Sequence, residues 1–144
     1  MIYESRSSQE TFELGRRMGE VARPGEVYAL SGNLGSGKTV FAQGFARGLG
    51  IEEAVTSPTF TLLRLYKGGR LPLCHMDAYR LEQEDELLAV GGHEYFGGPG
   101  VCLVEWPEQV EGLLPPDARW LFWTRDPARG PEYRRIRMEE EGQK

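Results

Sequence analysis

Residues 27–50 read V-Y-A-L-S-G-N-L-G-S-G-K-T-V-F-A-Q-G-F-A-R-G-L-G. The opening four, residues 27–30, form a short apolar run with β-branched and aromatic members, the mark of a buried strand. Residues 32–39 fit G-x-x-x-x-G-K-[ST] at every fixed position. Apolar Val40, Phe41, Phe45 and Leu49 follow at helical spacing, and Gly50 suits the C-terminal cap. A polyphosphate needs several backbone N–H donors converging on it, so its loop must curl tightly with little side-chain bulk. Gly32, Gly35 and Gly37 permit that curl. The loop opens onto a helix N-terminus, whose unpaired N–H groups and dipole favour an anion. Lys38 supplies positive charge for β- and γ-phosphates, and the Thr39 hydroxyl suits Mg²⁺.

A chain of 144 residues suits a single domain with one core, read here as residues 1–144 with a flexible acidic tail at 139–144. At 40% hydrophobic and 27% charged residues, its composition is that of an ordinary globular protein. No apolar run approaches membrane-spanning length, and the start M-I-Y-E-S-R lacks a signal peptide's apolar segment, so a cytoplasmic address is expected. Cys74 and Cys102 sit in apolar, strand-like runs and read as buried free thiols; their spacing matches no zinc pattern. The net charge of −5 argues against tight direct binding to nucleic acid. Arg119, Arg125, Arg129, Arg134, Arg135 and Arg137 gather late in the chain, where a solvated face is the simpler reading.

Around the phosphate stretch the pattern is that of an α/β protein. Ile2 and Tyr3 suit an edge strand, and Ser7 with Glu10 has capping-box spacing at a helix start. Leu14, Met18 and Val21 form that helix's apolar stripe, which Pro24-Gly25 ends. Residues 57–61 (S-P-T-F-T) are rich in hydroxyls; they read either as a switch-like contact through Thr59 and Thr61 or as a turn into the next strand. Residues 61–66 and 71–76 read as strands joined by a hairpin turn at 67–70. Asp77 ends the second of these, and an acidic first turn opens a short helix with Leu87, Leu88 and Val90 on its apolar side.

Residues 101–105 (V-C-L-V-E) are four apolar residues ending in a carboxylate, the shape of a Walker B strand that delivers an acid to Mg²⁺ beside the phosphate loop. Trp106-Pro107 breaks that strand, residues 108–114 suit a short helix, and residues 120–124 and 133–138 suit two final strands around a turn at 126–130. The expected fold is therefore a P-loop NTPase-like three-layer α/β arrangement, with a mixed, mainly parallel sheet and an antiparallel hairpin. A small-molecule P-loop kinase is the alternative function, although a chain this short has little room for an acceptor pocket and an arginine-bearing lid. A GTPase is disfavoured, because the chain has no N/T-K-x-D motif and its only lysines are Lys38, Lys67 and Lys144.

Four segments occur in order: S-G-N-L-G-S-G-K-T, S-P-T-F-T-L, H-M-D-A-Y-R-L and V-C-L-V-E-W-P. Together they resemble the TsaE (YjeE) family of small bacterial P-loop ATPases, which support threonylcarbamoyladenosine formation in tRNA. The D-x-Y-R-L and L-V-E-W-P segments make the likeness specific, and it extends from the first helix to Pro107. The resemblance implies a weak, Mg²⁺-dependent ATPase that binds ATP/ADP and uses ATP turnover to reset a complex of the partner proteins TsaD and TsaB. Such a protein meets tRNA only indirectly through that complex and has no membrane role. It also implies that Asn33, Leu34, Gly35, Ser36, Gly37, Lys38, Thr39 and Val40 bind ATP, with Ser8 and Arg134 near the nucleotide. By the same likeness Thr39 and Glu105 hold Mg²⁺, and Lys38, Asp77 and Glu105 serve catalysis. Asp77 is open between water activation, metal support and a structural role. Trp106 lies beside the metal ligand.

Overall fold

Strand β1 (Ile2–Ser5) leads into helix α1 (Ser8–Val21), and strand β2 (Val27–Ser31) leads to helix α2 (Lys38–Gly48). Strands β3 (Leu63–Tyr66) and β4 (Leu73–Asp77) come next, then the short helix α3 (Asp85–Ala89). Strands β5 (Val101–Glu105), β6 (Arg119–Arg125) and β7 (Arg134–Glu139) complete the order, with 3₁₀ turns at Gly92–Tyr95, Pro107–Leu113 and Pro127–Arg129. A computed structural model describes residues 1–32, 37–56, 62–79, 81, 84–89 and 91–139.

These strands form one seven-stranded sheet in the order β1-β7-β6-β2-β5-β4-β3. Its four central strands, β6, β2, β5 and β4, are mutually parallel. Antiparallel partners close both sides, β3 beyond β4 and the β7–β1 pair beyond β6. The mixed, mainly parallel sheet with a hairpin is thus present, and β1 is an edge strand as expected.

Side chains alternate across the sheet, so each central strand feeds two cores. Tyr28, Leu30, Leu73, Val101 and Leu103 pack with Leu14, Met18, Phe41 and Phe45 of the two long helices. Val27, Ala29, Cys74, Met76, Cys102 and Val104 pack on the opposite face with Leu87, Val110 and Trp120. Both cysteines are free and buried.

Helix α1 starts as its capping signals require. Ser7 is the N-cap and its Oγ accepts from Glu10 N at 3.1 Å, while Arg6 N donates to Glu10 Oε1 at 2.8 Å. Helices α1 and α2 approach so closely that their backbones touch. A Cβ at Gly15 would lie 2.2 Å from Phe41 O, and one at Gly44 would lie 2.0 Å from Phe12 O. The far end of α1 carries no basic residue of its own, yet Arg70 reaches it from the β3–β4 hairpin. The Arg70 Nη2 donates to Gly19 O at 2.6 Å and Ala22 O at 2.8 Å, placing a cation at the negative end of the helix dipole.

Several sequence expectations need correction. Val21 is 73% exposed, because the chain leaves the helix at Ala22, which is buried in its place. Leu88 is likewise exposed and Leu87 alone among the described residues of α3 is buried, since a helix of five residues presents barely one turn to the core. The short helix expected over 108–114 is a 3₁₀ segment over Pro107–Leu113, kinked at Val110. Strand β4 runs on to Asp77, and β7 begins at Arg134. Val90 and residues 140–144 of the acidic tail lie outside the described residues.

Candidate nucleotide site

The candidate site gathers where β2, β4 and β5 end beside the start of α2. Register places Leu30 opposite Glu105 and Glu105 opposite Asp77, so the two acids end adjacent parallel strands. Ligand sites of open α/β sheets form at this edge, outside the carboxyl ends of the strands. The alternation puts Asp77 and Glu105 on the α1–α2 face of the sheet, along with Leu30 and Leu103.

Lys38 is the first residue of α2, and its side chain is buried beneath the strand ends. Its Nζ donates to Gly32 O at 2.6 Å and stands 4.4 Å from the centre of the Trp106 ring. Burial lowers the Lys38 pKa from the ordinary lysine value; Glu105, Asp77 and Glu108 oppose that shift by attraction. The Trp106 ring also packs on Tyr79, with centres 4.8 Å apart. Ser31 Oγ donates to Glu108 just beyond Trp106.

Backbone strain brackets the acids. Trp106, next to Glu105, has φ 56°, and Leu62, whose carbonyl accepts from Asp77 N at 2.8 Å, has φ 67°. Side chains that branch or carry rings rarely occupy this left-handed region, and such strain gathers at functional sites. Asp77 Oδ1 accepts from Tyr79 N at 2.9 Å, which ties one oxygen to the turn after β4.

Gly37 caps α2 with φ 100° and provides no side-chain hydrogen bond, so the helix's first N–H groups have no side-chain cap. A Cβ there would lie 3.9 Å from both Trp123 Nε1 and Arg134 Nε. The Trp123 indole nitrogen is buried without a hydrogen-bond partner among the described residues. A small cleft of about 30 Å³ joins Ser8, Thr11, Gly37, Val40, Glu132 and Arg134. A cleft of about 650 Å³ between β1 and α1 contains none of the candidate acids or Lys38.

Two groups of sequence-chosen residues therefore come together: Lys38, Asp77, Glu105 and Trp106 at the strand ends, and Ser8, Gly37, Val40 and Arg134 at the α2 start. Thr39 is the second residue of α2 and is half-buried. Asn33, Leu34, Gly35, Ser36, Thr59 and Thr61 lie outside the described residues. A lysine, a helix N-terminus without a side-chain cap, an indole N–H with no partner among the described residues and two carboxylates at the strand ends form a set that fits a polyphosphate with its divalent cation.

A family model described as "Threonylcarbamoyl adenosine biosynthesis protein TsaE" matches residues 5–135. The chain belongs to the TsaE family. Among curated relatives, the tRNA threonylcarbamoyladenosine biosynthesis protein TsaE of Bacillus subtilis is 52% identical over 107 residues, 74% of this chain and 66% of that protein. The chain thus spans just under two thirds of that relative's length. The protein of the same name from Treponema pallidum is 49% identical over 111 residues, 77% of this chain and 82% of its own. A crystal structure of Bacillus subtilis YdiB superposes with a TM-score of 0.82 at 38% identity, covering 99% of this chain and 86% of that one. No helix among the described residues is long and apolar enough to cross a membrane.

In this TsaE-family chain, sequence reasoning missed His75. Its ring is fully buried, and Nε2 lies 2.6 Å from Glu105 Oε2. A histidine two residues before Asp77 in an otherwise apolar strand was the available signal. Trp123 was missed as well, because its place beside Gly37 depends on β6 lying next to β2.

Proposed function

We propose that this chain is a Mg²⁺-dependent ATP-binding protein and weak ATPase that supports tRNA threonylcarbamoyladenosine formation in the cytoplasm by acting on a TsaD–TsaB complex. The observation that carries the reading is Lys38, buried at the start of α2 among Asp77, Glu105 and Glu108. A buried cation with three acids nearby and, among the described residues, one hydrogen bond to a backbone carbonyl is poised for an anion that brings its own counter-ion.

Residues 33–40 would wrap the phosphates with Lys38 as counter-charge, and Ser8 and Arg134 would flank the nucleotide across the small cleft. Thr39 and Glu105 would hold Mg²⁺, which supplies charge neutralisation on the phosphate oxygens when bound. Asp77, opposite Glu105 in register, orients water or supports the metal ligand. Trp106 shields Lys38 from solvent on one side.

On the partner-gated reading, no arginine of this chain neutralises the transferring phosphoryl group; Arg134, among the described residues, lies at the Gly37 side. Phosphoryl transfer without such a charge is slow, and one supplied in trans raises turnover by about 10³–10⁵. Steady-state phosphate release by the purified protein, with and without a TsaD–TsaB pair, tests the reading, alongside binding to that pair in ATP or ADP. Low release alone, a large rise with the pair and tighter association in ATP are expected. Full turnover alone, with binding to the pair indifferent to nucleotide, overturns it.

A further inference from the structure

His75 stands in the middle of β4, a strand whose described residues are all buried. Such a position on a parallel strand is normally aliphatic, because a ring nitrogen there must find a partner or lose its hydration without return. His75 finds one partner, Glu105 Oε2 at 2.6 Å, and its Nδ1 is buried with none among the described residues. The fold thus tolerates an orphaned ring nitrogen at a fully buried site for the sake of a single contact, and that contact is to the strand-end acid.

Geometry explains why the contact exists. Register sets His75 opposite Leu103 and Asp77 opposite Glu105, so His75 and Glu105 share the α1–α2 face and sit one diagonal step apart. If Glu105 is to receive a cation it serves as a carboxylate acceptor, and the contact then reads as His75 Nε2–H donating to Oε2. Glutamate carries one more rotatable bond than the aspartate common at this place. A short bond from a ring that cannot move removes that freedom and commits Oε2, which leaves Oε1 for a ligand.

We propose that His75 is a positioning residue for Glu105: its Nε2–H holds the carboxylate in the orientation that receives the divalent cation of the bound nucleotide. The inference rests on the ATP and Mg²⁺ reading of the site. Outer-shell partners of this kind change metal affinity or activity by about 10–100-fold when lost.

The test compares His75→Gln with His75→Asn, measured as ATP affinity by calorimetry in Mg²⁺ and in excess chelator. A glutamine amide places its N–H₂ near the Nε2 position, whereas an asparagine amide falls short at the Nδ1 position. Wild type is expected to bind ATP more tightly in Mg²⁺, His75→Gln to keep most of that gain, and His75→Asn to lose about tenfold or more of it. Affinity in chelator should be the same for all three. Ring ¹⁵N NMR of the nucleotide-free wild type supplies an independent readout: Nε2 protonated, Nδ1 bare, and the Nε2 signal shifted in Glu105→Gln. An Asn variant that keeps the full Mg²⁺ gain, an equal loss by all variants with and without Mg²⁺, or hydrogen on Nδ1 instead of Nε2 overturns the inference while the site reading stands. A wild type whose ATP affinity ignores Mg²⁺ overturns the site reading and the inference with it.

Discussion

Lys38 Nζ stands 4.4 Å from the centre of the Trp106 ring while donating to Gly32 O at 2.6 Å. A cation over an indole face perturbs that ring directly, and a bound polyphosphate would draw the ammonium towards itself. ATP should therefore change the tryptophan emission of the protein. Trp106→Phe should reduce the change, since Trp106 is the indole whose ring centre the Lys38 ammonium approaches, while Trp123, whose Nε1 lies at the Gly37 side, keeps a residual response. Titration of both proteins with ATP at fixed Mg²⁺ checks this; an equal response from the two would detach Trp106 from the site.

Lys38→Ala should abolish useful ATP binding and leave the sheet folded, because the side chain lies at the strand ends and not within either core. Burial lowers this ammonium's pKa in the nucleotide-free protein, and the cation is the form that binds phosphate. As pH rises through the lowered pKa the charge disappears, so affinity should decline before the ordinary lysine value of 10.5 is reached. The fold itself responds with the opposite sign. A lysine whose pKa is depressed by folding destabilises the native state while charged, so its penalty fades as pH rises through that window. Calorimetric ATP titrations across the alkaline range, with circular dichroism on the mutant, decide both points.

On the proposed ATP and Mg²⁺ reading, Glu105→Ala should reduce Mg²⁺-dependent turnover far more than nucleotide binding in chelator, since Lys38 and residues 33–39 would still hold the phosphates. It also strands the Nε2–H of His75 in a buried place, a loss of about 1–3 kcal/mol. Glu105→Gln, whose amide oxygen can still accept, should recover most of that stability and little of the turnover. Phosphate release and urea midpoints for the two variants separate the chemical from the structural part.

Gly44→Ala inverts the usual sign of a helix substitution. On an exposed helix, alanine gains about 0.5–1 kcal/mol over glycine. Here the new methyl carbon would lie 2.0 Å from Phe12 O, so α1 and α2 must part and loosen the contacts between Phe41, Phe45 and Leu14. A destabilisation of about 1–3 kcal/mol or more is expected. Thermal unfolding compared with the unsubstituted protein would show it; a raised melting temperature for Gly44→Ala would contradict the backbone contact.

Local patterns carried much of the architecture. The strand, loop and helix of residues 27–50 are contiguous, so one run of residues contains both the apolar periodicity and the glycines that the phosphate site needs. The Ser7 and Glu10 cap, the β3–β4 hairpin and the acid at the end of β5 were legible for the same reason. Spacing could not supply partners distant along the chain. Leu30, Asp77 and Glu105 meet only because β2, β5 and β4 are parallel neighbours, an order set by burying both faces of each central strand. The same long-range pairing sets His75 against Glu105, Arg70 against the end of α1 and Trp123 beside Gly37. Val21 fitted its helical stripe and still faces water, because periodicity marks a face of a helix but not where its partner surface stops.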